Sequence, residues 1–420
     1  GAAPAQPPRS PMAPTLHLEW LADGDLLSVP GWRGAGIKTG VKASGAPDLA
    51  LFQADSPRPA AAVFTRNELP AACVDLGREA MAKRPELRTL CVNSGNANAM
   101  TGAQGRADAE RIAELVERHA GGPVLAVSTG IIGVPLPMDL VEPGIEEAAR
   151  SLTAPCPQLA DAILTTDTCR KTCAVEVELP AHGGQPTRAV RVGGMAKGSG
   201  MIHPNMATML AFVATDAPVE ASALDGLLRR ATDASFHEIS VDGDTSTNDT
   251  VVLLGGPPEA DHIADGDPRL RALEDAVTAV MQRLARAIVL DGEGRTRLME
   301  LRVTGATDTA SARRVAESVA CSSLVKTALA GGDPNWGRIL AAAANAGVSL
   351  AGAAPSLEIC GHRVFEDGAP TDYDREAVDS AFSAEEVQVV LHLGLGDAIA
   401  RRWTTDLSTE YVRLNAEYTT

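Results

Sequence analysis

The chain has 420 residues, 45% of them hydrophobic, and sets 37 Lys plus Arg against 54 Asp plus Glu for a formal net charge of −17. That length and apolar content supply a large core and predict two or three domains. The acidic balance disfavours nucleic acid or an anionic membrane surface as the main partner, and no run of roughly eighteen uncharged apolar residues marks a membrane span.

The proline-rich opening Gly1–Pro11 reads as a flexible tail over residues 1–15, with Met12 as a candidate start. It lacks both a signal-peptide core and the arginine-rich amphipathic pattern of a mitochondrial presequence. A charged amphipathic helix is predicted over Asp108–His119. The strand Leu125–Val127 then leads into Ser128-Thr129-Gly130, where glycine allows close backbone approach. Such a turn suits an oxyanion hole, which needs fixed N–H or hydroxyl donors, but an ordinary strand-to-loop turn reads the same way. The seven cysteines, Cys73, Cys91, Cys156, Cys169, Cys173, Cys321 and Cys360, are scattered and odd in number. They argue against a disulfide framework and for a reduced cytosol. Cys169 and Cys173 have three intervening residues rather than the two of a redox or zinc knuckle, with no second pair nearby, and read as structural.

The most informative stretch runs from Lys197-Gly198-Ser199-Gly200-Met201-Ile202-His203-Pro204-Asn205-Met206 into Ala207-Thr208-Met209-Leu210. It sets a threonine after a small residue, behind a loop stiffened by proline and loosened by glycine, where an N→O acyl shift is feasible. If the Ala207–Thr208 bond breaks, the freed α-amine of Thr208, of ordinary pKa about 7.7–8.0, serves as base for its own hydroxyl. On the residues alone, Met206, Met209, Leu210, Phe212 and Val213 also fit a buried strand or helix that merely contains a threonine. His203 reads as a spacer rather than a general base. Lys197-Gly198-Ser199-Gly200 is neither a phosphate-binding loop nor a dinucleotide fingerprint, so no nucleotide is implied.

Asp242-Gly243-Asp244-Thr245-Ser246-Thr247-Asn248-Asp249 is rich in oxygen ligands, but Thr247 and Leu253 stand where an EF-hand needs glycine and glutamate. It reads as a hydrogen-bonded structural loop near the site. Asn248-Asp249-Thr250 is a glycosylation sequon only in a secreted protein, and the histidines form no metal spacing. A longer helix is predicted over Leu273–Leu290, and just past its end the glycines flanking Glu293 keep that carboxylate accessible. Helix termination with a solvated acid is the plainer account of the same residues. Period-two alternation predicts strands over Arg297–Val303 and Val387–Leu395. This α/β chain has no repeating βαβ rhythm, which argues for stacked, largely antiparallel sheets flanked by helices.

Long ordered blocks of this chain resemble one family. They are the Lys197–Phe212 stretch with Thr215-Asp216-Ala217, Asn93–Ala99, Ser128–Gly133, Thr165-Thr166-Asp167-Thr168, Ser240–Thr250, Asp291–Gly294, Asp333–Arg338 and the terminal Tyr411–Thr420. The family is that of the ornithine acetyltransferases of arginine biosynthesis, the bifunctional glutamate N-acetyltransferases. The resemblance implies an αββα sandwich, N-terminal-nucleophile-like, with a smaller C-terminal α/β lobe from the second half. It also implies autocleavage between Ala207 and Thr208, giving a first segment of residues 16–207 after the tail and a second of residues 208–420. Thr208 becomes the nucleophile, Thr129 and Gly130 the oxyanion hole, and Thr168, Lys197, Thr208, Glu293, Asn415 and Thr420 the substrate contacts, with Thr166 as the alternative to Thr168.

The implied activity moves acetyl from N2-acetylornithine to glutamate by a ping-pong cycle through an acetyl-threonine, with no cofactor and no metal. Members differ in whether acetyl-CoA also serves as donor, and no residue here decides it. Two first and two second segments as a heterotetramer in the cytoplasm complete the expectation. The competing readings are a threonine-nucleophile amidase or aminopeptidase that releases acyl groups to water, and a non-catalytic assembly protein left whole.

Overall fold

The computed structural model describes residues 17–203 and 209–417. A nine-stranded sheet forms the larger lobe, and the strand Leu49–Phe64 is its hinge. The amino-terminal half of this long strand pairs with Trp32–Ile37 and Glu86–Asn96, and Glu86–Asn96 pairs in turn with Val124–Ile131. Its carboxy-terminal half pairs with Thr250–Leu254, from which Leu210–Thr215, Arg188–Lys197, Lys171–Leu179 and Leu18–Trp20 follow in order. A register shift between Gln53 and Arg58 bends the strand, as bulged strands do.

The two halves therefore face each other across a common core. Phe52, Leu90, Val92 and Val127 from one side meet Met195, Leu210, Phe212, Val252 and Leu254 from the other. Phe52 is wholly buried, with Trp32 tilted against one side and Phe212 edge-on at 5.1 Å. Alternate residues point outward. Leu49 and Leu51 meet Ile112, Leu115, Val141 and Ile145 of the helices Gly102–Ala120 and Met138–Arg150. On the opposite side, Ala211 and Val213 lie in one cluster with Leu227, Val277 and Leu284 of the helices Ala221–Asp233 and Pro268–Leu290. The layer order is helix, sheet, sheet, helix, and most strand pairs are antiparallel. Strands buried on both faces read as continuous apolar runs, which is why Leu210–Ala214 shows no alternation in sequence.

A seven-stranded sheet built wholly from the second half forms the smaller lobe. Within it Leu298–Ala306 lies parallel to the central strand Glu386–His392 and antiparallel to Ala398–Thr405. Met299, Leu301, Val303, Val387, Val389 and Leu391 pack with Val315, Val319 and Leu329 of the helices Thr309–Ala320 and Ser323–Gly331. The predicted elements appear with shifted ends. The helix expected over Asp108–His119 spans Gly102–Ala120, that over Leu273–Leu290 begins at Pro268, and the strand expected to reach Leu395 ends at His392, short of the left-handed Gly394. Asp267 caps the longer helix by accepting the Arg269 N–H, with proline in its first turn, a start signal that lies upstream of the apolar stripe.

Phe52→Ala empties the space between the two half-sheets. The expected loss is about 3–5 kcal/mol, the range for buried phenylalanine truncation, measured as a lowered denaturation midpoint.

Candidate active site

A cavity of about 130 Å³ opens where the strand ends of the larger lobe meet the loop after Lys197, the acidic loop at residue 242 and the helix Thr409–Glu417. Thr129 and Gly130 reach it from the end of Val124–Ile131. Gly130 has φ +137°, and a Cβ there would lie 2.3 Å from the Gly95 carbonyl carbon of the neighbouring strand. Only glycine permits that approach.

Lys197 ends the strand Arg188–Lys197 and is buried. Its Nζ donates to Thr129 Oγ1 at 3.3 Å. A hydroxyl that accepts from an ammonium keeps its own proton to donate, so the Thr129 O–H is available to an oxygen in the cavity. Burial lowers the Lys197 ammonium below its usual range, against the pull of Asp167, Asp249 and Glu293 and with the push of Lys171.

Beneath the cavity lies a buried ionic network. Lys171 Nζ donates to Asp167 Oδ1 at 2.7 Å and Asp291 Oδ2 at 2.6 Å. Asp167 also accepts the backbone N–H of Gly198 at 2.6 Å and of Thr165 at 3.0 Å. Burial would raise Asp167, but Lys197, Lys171 and the Gly198 N–H outweigh it and hold the carboxyl down at about 2. Asp291 caps the arrangement by binding the N–H and hydroxyl of Thr168.

Hydrogen bonds hold much of the acidic loop in place. Asp242 accepts the N–H groups of Met201 and Ile202 at 2.6 and 2.8 Å and the Tyr411 hydroxyl at 3.2 Å. Asn248 Nδ2 donates to the carbonyls of Ala97 and Ser128 at 2.7 and 2.8 Å. Asp249, wholly buried and raised by that burial, accepts the Met209 N–H at 3.0 Å. Glu293 and Asn415 close the far wall, with Asn415 Nδ2 donating to Glu293 Oε2 at 2.9 Å. Gly200 lies against that carboxylate, where a Cβ would come within 2.5 Å of it.

Thr129, Gly130, Lys197, Glu293 and Asn415 thus line one cavity. Thr166 lines it too, its Oγ1 2.7 Å from Ser199 Oγ. Thr168 does not: it is exposed, bound to Asp291, and borders an adjoining cavity of about 580 Å³ that shares Thr166, Glu293 and Asn415. Ala207, Thr208 and Thr420 lie outside the described residues. Asp167 and Lys171 carry roles that motif reading missed, although Asp167 stands inside a quoted block; Asp242, Asn248 and Asp249 belong to the loop read from sequence as hydrogen-bonded and near the site, and the structure supplies their partners. Among the described residues, no group of three or more His, Cys, Asp or Glu is placed to hold a metal ion, and no helix is long and apolar enough to cross a membrane.

The ArgJ family model matches residues 33–420. The chain belongs to the ArgJ family. It is 43% identical over 411 residues to the arginine biosynthesis bifunctional protein ArgJ 1 of Nostoc sp., covering 94% of this chain and 98% of that protein. It is 44% identical over 410 residues to the arginine biosynthesis bifunctional protein ArgJ of Gloeobacter violaceus, covering 96% and 99%. Among solved structures, the ornithine acetyltransferase of Mycobacterium tuberculosis, complexed with ornithine, is similar at 36% identity and TM-score 0.39, covering 45% of this chain and 98% of that one.

Asp167→Asn leaves Lys171 and Lys197 short of a buried counter-charge, and the expected destabilisation near neutral pH is about 3–5 kcal/mol. A carboxyl held at about 2 against an ordinary 3.8 stabilises fully above about pH 4 and loses that contribution as pH falls through about 2. The stability gap between wild type and variant, read by denaturant titration, therefore narrows from pH 4 toward pH 2.

Proposed function

We propose that this ArgJ-family enzyme transfers acetyl from N2-acetylornithine to glutamate through an acetyl-threonine on Thr208, after self-cleavage between Ala207 and Thr208. The register of one strand pair carries the reading. Leu210, two residues past Thr208, pairs with Lys197, whose ammonium touches Thr129 at the cavity, and the next N–H, that of Met209, is held by buried Asp249.

Thr208 Oγ attacks the acetyl carbonyl while the freed α-amine takes its proton. Negative charge on the tetrahedral oxygen is met by the Thr129 hydroxyl and the Gly130 N–H, each such donor being worth about 2.7–4 kcal/mol. Ornithine departs as an amine, and the glutamate amine attacks the acetyl-threonine in turn. One site serves both because each is an α-amino acid: Lys197 meets the α-carboxylate, Thr166 supplies a hydroxyl, and Glu293 with Asn415 meets the ornithine side-chain ammonium. Thr420 joins them as a substrate contact in this reading. The relatives are named bifunctional, which makes acetyl-CoA a second donor to test in the same assay.

The cut divides residues 16–207 from residues 208–420. It falls between Arg188–Lys197 and Leu210–Thr215, adjacent antiparallel strands of one sheet, so the two segments stay interlocked without a linker. Two of each assemble as a heterotetramer in the cytoplasm, which a native mass measurement tests.

Intact mass spectrometry of purified protein is expected to show two polypeptides split before Thr208, with Thr208→Ala whole and inactive. Thr129→Val is expected to slow both processing and transfer roughly a hundredfold. Unbroken wild-type protein with full turnover would overturn the reading, and acetate release independent of glutamate would favour the hydrolase. Thr166→Val removes a hydroxyl that faces the cavity and should raise KM for the amino-acid substrate by about tenfold, a larger effect than Thr168→Val in the same steady-state assay.

A further inference from the structure

On the side of the Asp242 loop nearest the smaller lobe, a cysteine, a histidine and a glutamate form a hydrogen-bonded chain that the acyl-transfer reading does not use. Cys321 follows the helix Thr309–Ala320, and its Sγ lies 3.5 Å from His203 Nδ1. The other ring nitrogen, Nε2, lies 2.9 Å from Glu317 Oε1. Ser240 Oγ approaches both partners, at 3.3 Å from His203 Nδ1 and 3.7 Å from Cys321 Sγ. Cys321 is a half-buried residue.

We propose that Cys321, paired with His203 and Glu317, is a modification site: a nucleophilic thiolate that takes hydroperoxides and small soft electrophiles. The arrangement has the parts such a site needs, a sulfur, an imidazole within hydrogen-bond reach and a third group that orients the imidazole. Its surroundings favour the ion pair. Arg402 reaches Glu317 at 3.8 Å and faces the cluster from the strand Ala398–Thr405. Lys326 faces it from the helix Ser323–Gly331, with Asp242 and Asp406 acting on Lys326, and with Arg313 and Glu238, the latter engaged by Arg401, acting on Arg402. Burial would raise the thiol, yet hydrogen bonding and charge from His203, with Ser240 and Arg402, bring it below its ordinary value. His203 is raised to about 9 because Cys321 and Glu317 outweigh its own burial.

With a hydroperoxide, the sulfur attacks one peroxide oxygen. An S–O bond forms as the O–O bond breaks, and the leaving alkoxide or hydroxide takes the proton of His203. The sulfur loses two electrons to become a sulfenic acid, and the peroxide is reduced to an alcohol or water. The site stands independently of the acyl-transfer reading, because it includes none of the residues placed in that cavity.

The test is iodoacetamide alkylation of the native protein across pH 6–9, each cysteine followed by peptide mass spectrometry. Cys169 is the internal reference, since it is exposed and its thiol is raised, chiefly by burial and next by Asp291. Cys321 is expected to react roughly tenfold faster than Cys169 at pH 6, because the thiol lowered by its partners holds the larger thiolate fraction, and to form a dimedone adduct after hydroperoxide. His203→Ala and Glu317→Gln should each slow Cys321 at pH 6 and leave Cys169 unchanged. Labelling of the buried Cys73, Cys91 and Cys173 would expose a variant that has lost its fold, in which case the wild-type profile decides. A Cys321 that reacts no faster than Cys169 at pH 6, or whose rate climbs with pH as an ordinary thiol does, overturns the proposal.

Discussion

Two lysines, Lys171 and Lys197, lie buried within one wall of the cavity, and their charges are tolerable only because Asp167 and Asp291 lie among them. An unpaired ammonium in such a place costs several kcal/mol or gives up its proton. Asp167 prevents this while also accepting the N–H groups of Thr165 and Gly198. One carboxylate thereby sets the turn that carries Thr166, the loop that leaves Lys197 and, through Lys171 and Asp291, the helix end from which Glu293 projects. Each group on that side of the cavity depends on this pairing for its position.

The same economy governs the opposite wall. Asp242 holds the loop at Met201 and Ile202 and accepts the Tyr411 hydroxyl, so the helix that bears Asn415 is tied to the loop that bears Lys197. Gly130 lets backbone approach where any side chain would collide, and Gly200 leaves room for the Glu293 carboxylate. Hydrogen bonds hold Thr166, Glu293 and Asn415 in the cavity wall, with Thr129 keeping a proton to donate. Such preorganisation is what an oxyanion intermediate requires, because donors that need not reorient cost nothing at the moment of reaction.

Much of the site was legible before any fold was known, because its residues travel in ordered blocks. Ser128-Thr129-Gly130 shows a glycine whose conformation and close contact no other residue can supply, and Lys197 stands at the head of the most distinctive stretch. Thr166 and Thr168 were less separable: they share one short block, and only the hydrogen bonds to Ser199 and Asp291 show which faces the cavity. The role of Asp167 was hidden, since an aspartate in a polar stretch reads as solvated until the lysine that it meets is known, while the loop that holds Asp249 read as hydrogen-bonded without revealing which N–H it accepts. The pairing of Cys321 with His203 spans more than a hundred residues of chain and leaves no local trace.

Composition and pattern by themselves determined that this chain forms a large α/β core of mostly antiparallel sheets, and the ordered blocks determined its family. Periodicity is a local property, set by which face of a helix or strand must leave water, so element types follow from it while their ends shift with capping residues such as Asp267. Only the tertiary structure decided that Leu49–Phe64 bends to serve both half-sheets, that strands from the two halves of the chain lie side by side, and which carboxylates neutralise which lysines. Those outcomes depend on groups distant in sequence and adjacent in space, whose electrostatic and packing energies exist only once the layers have closed.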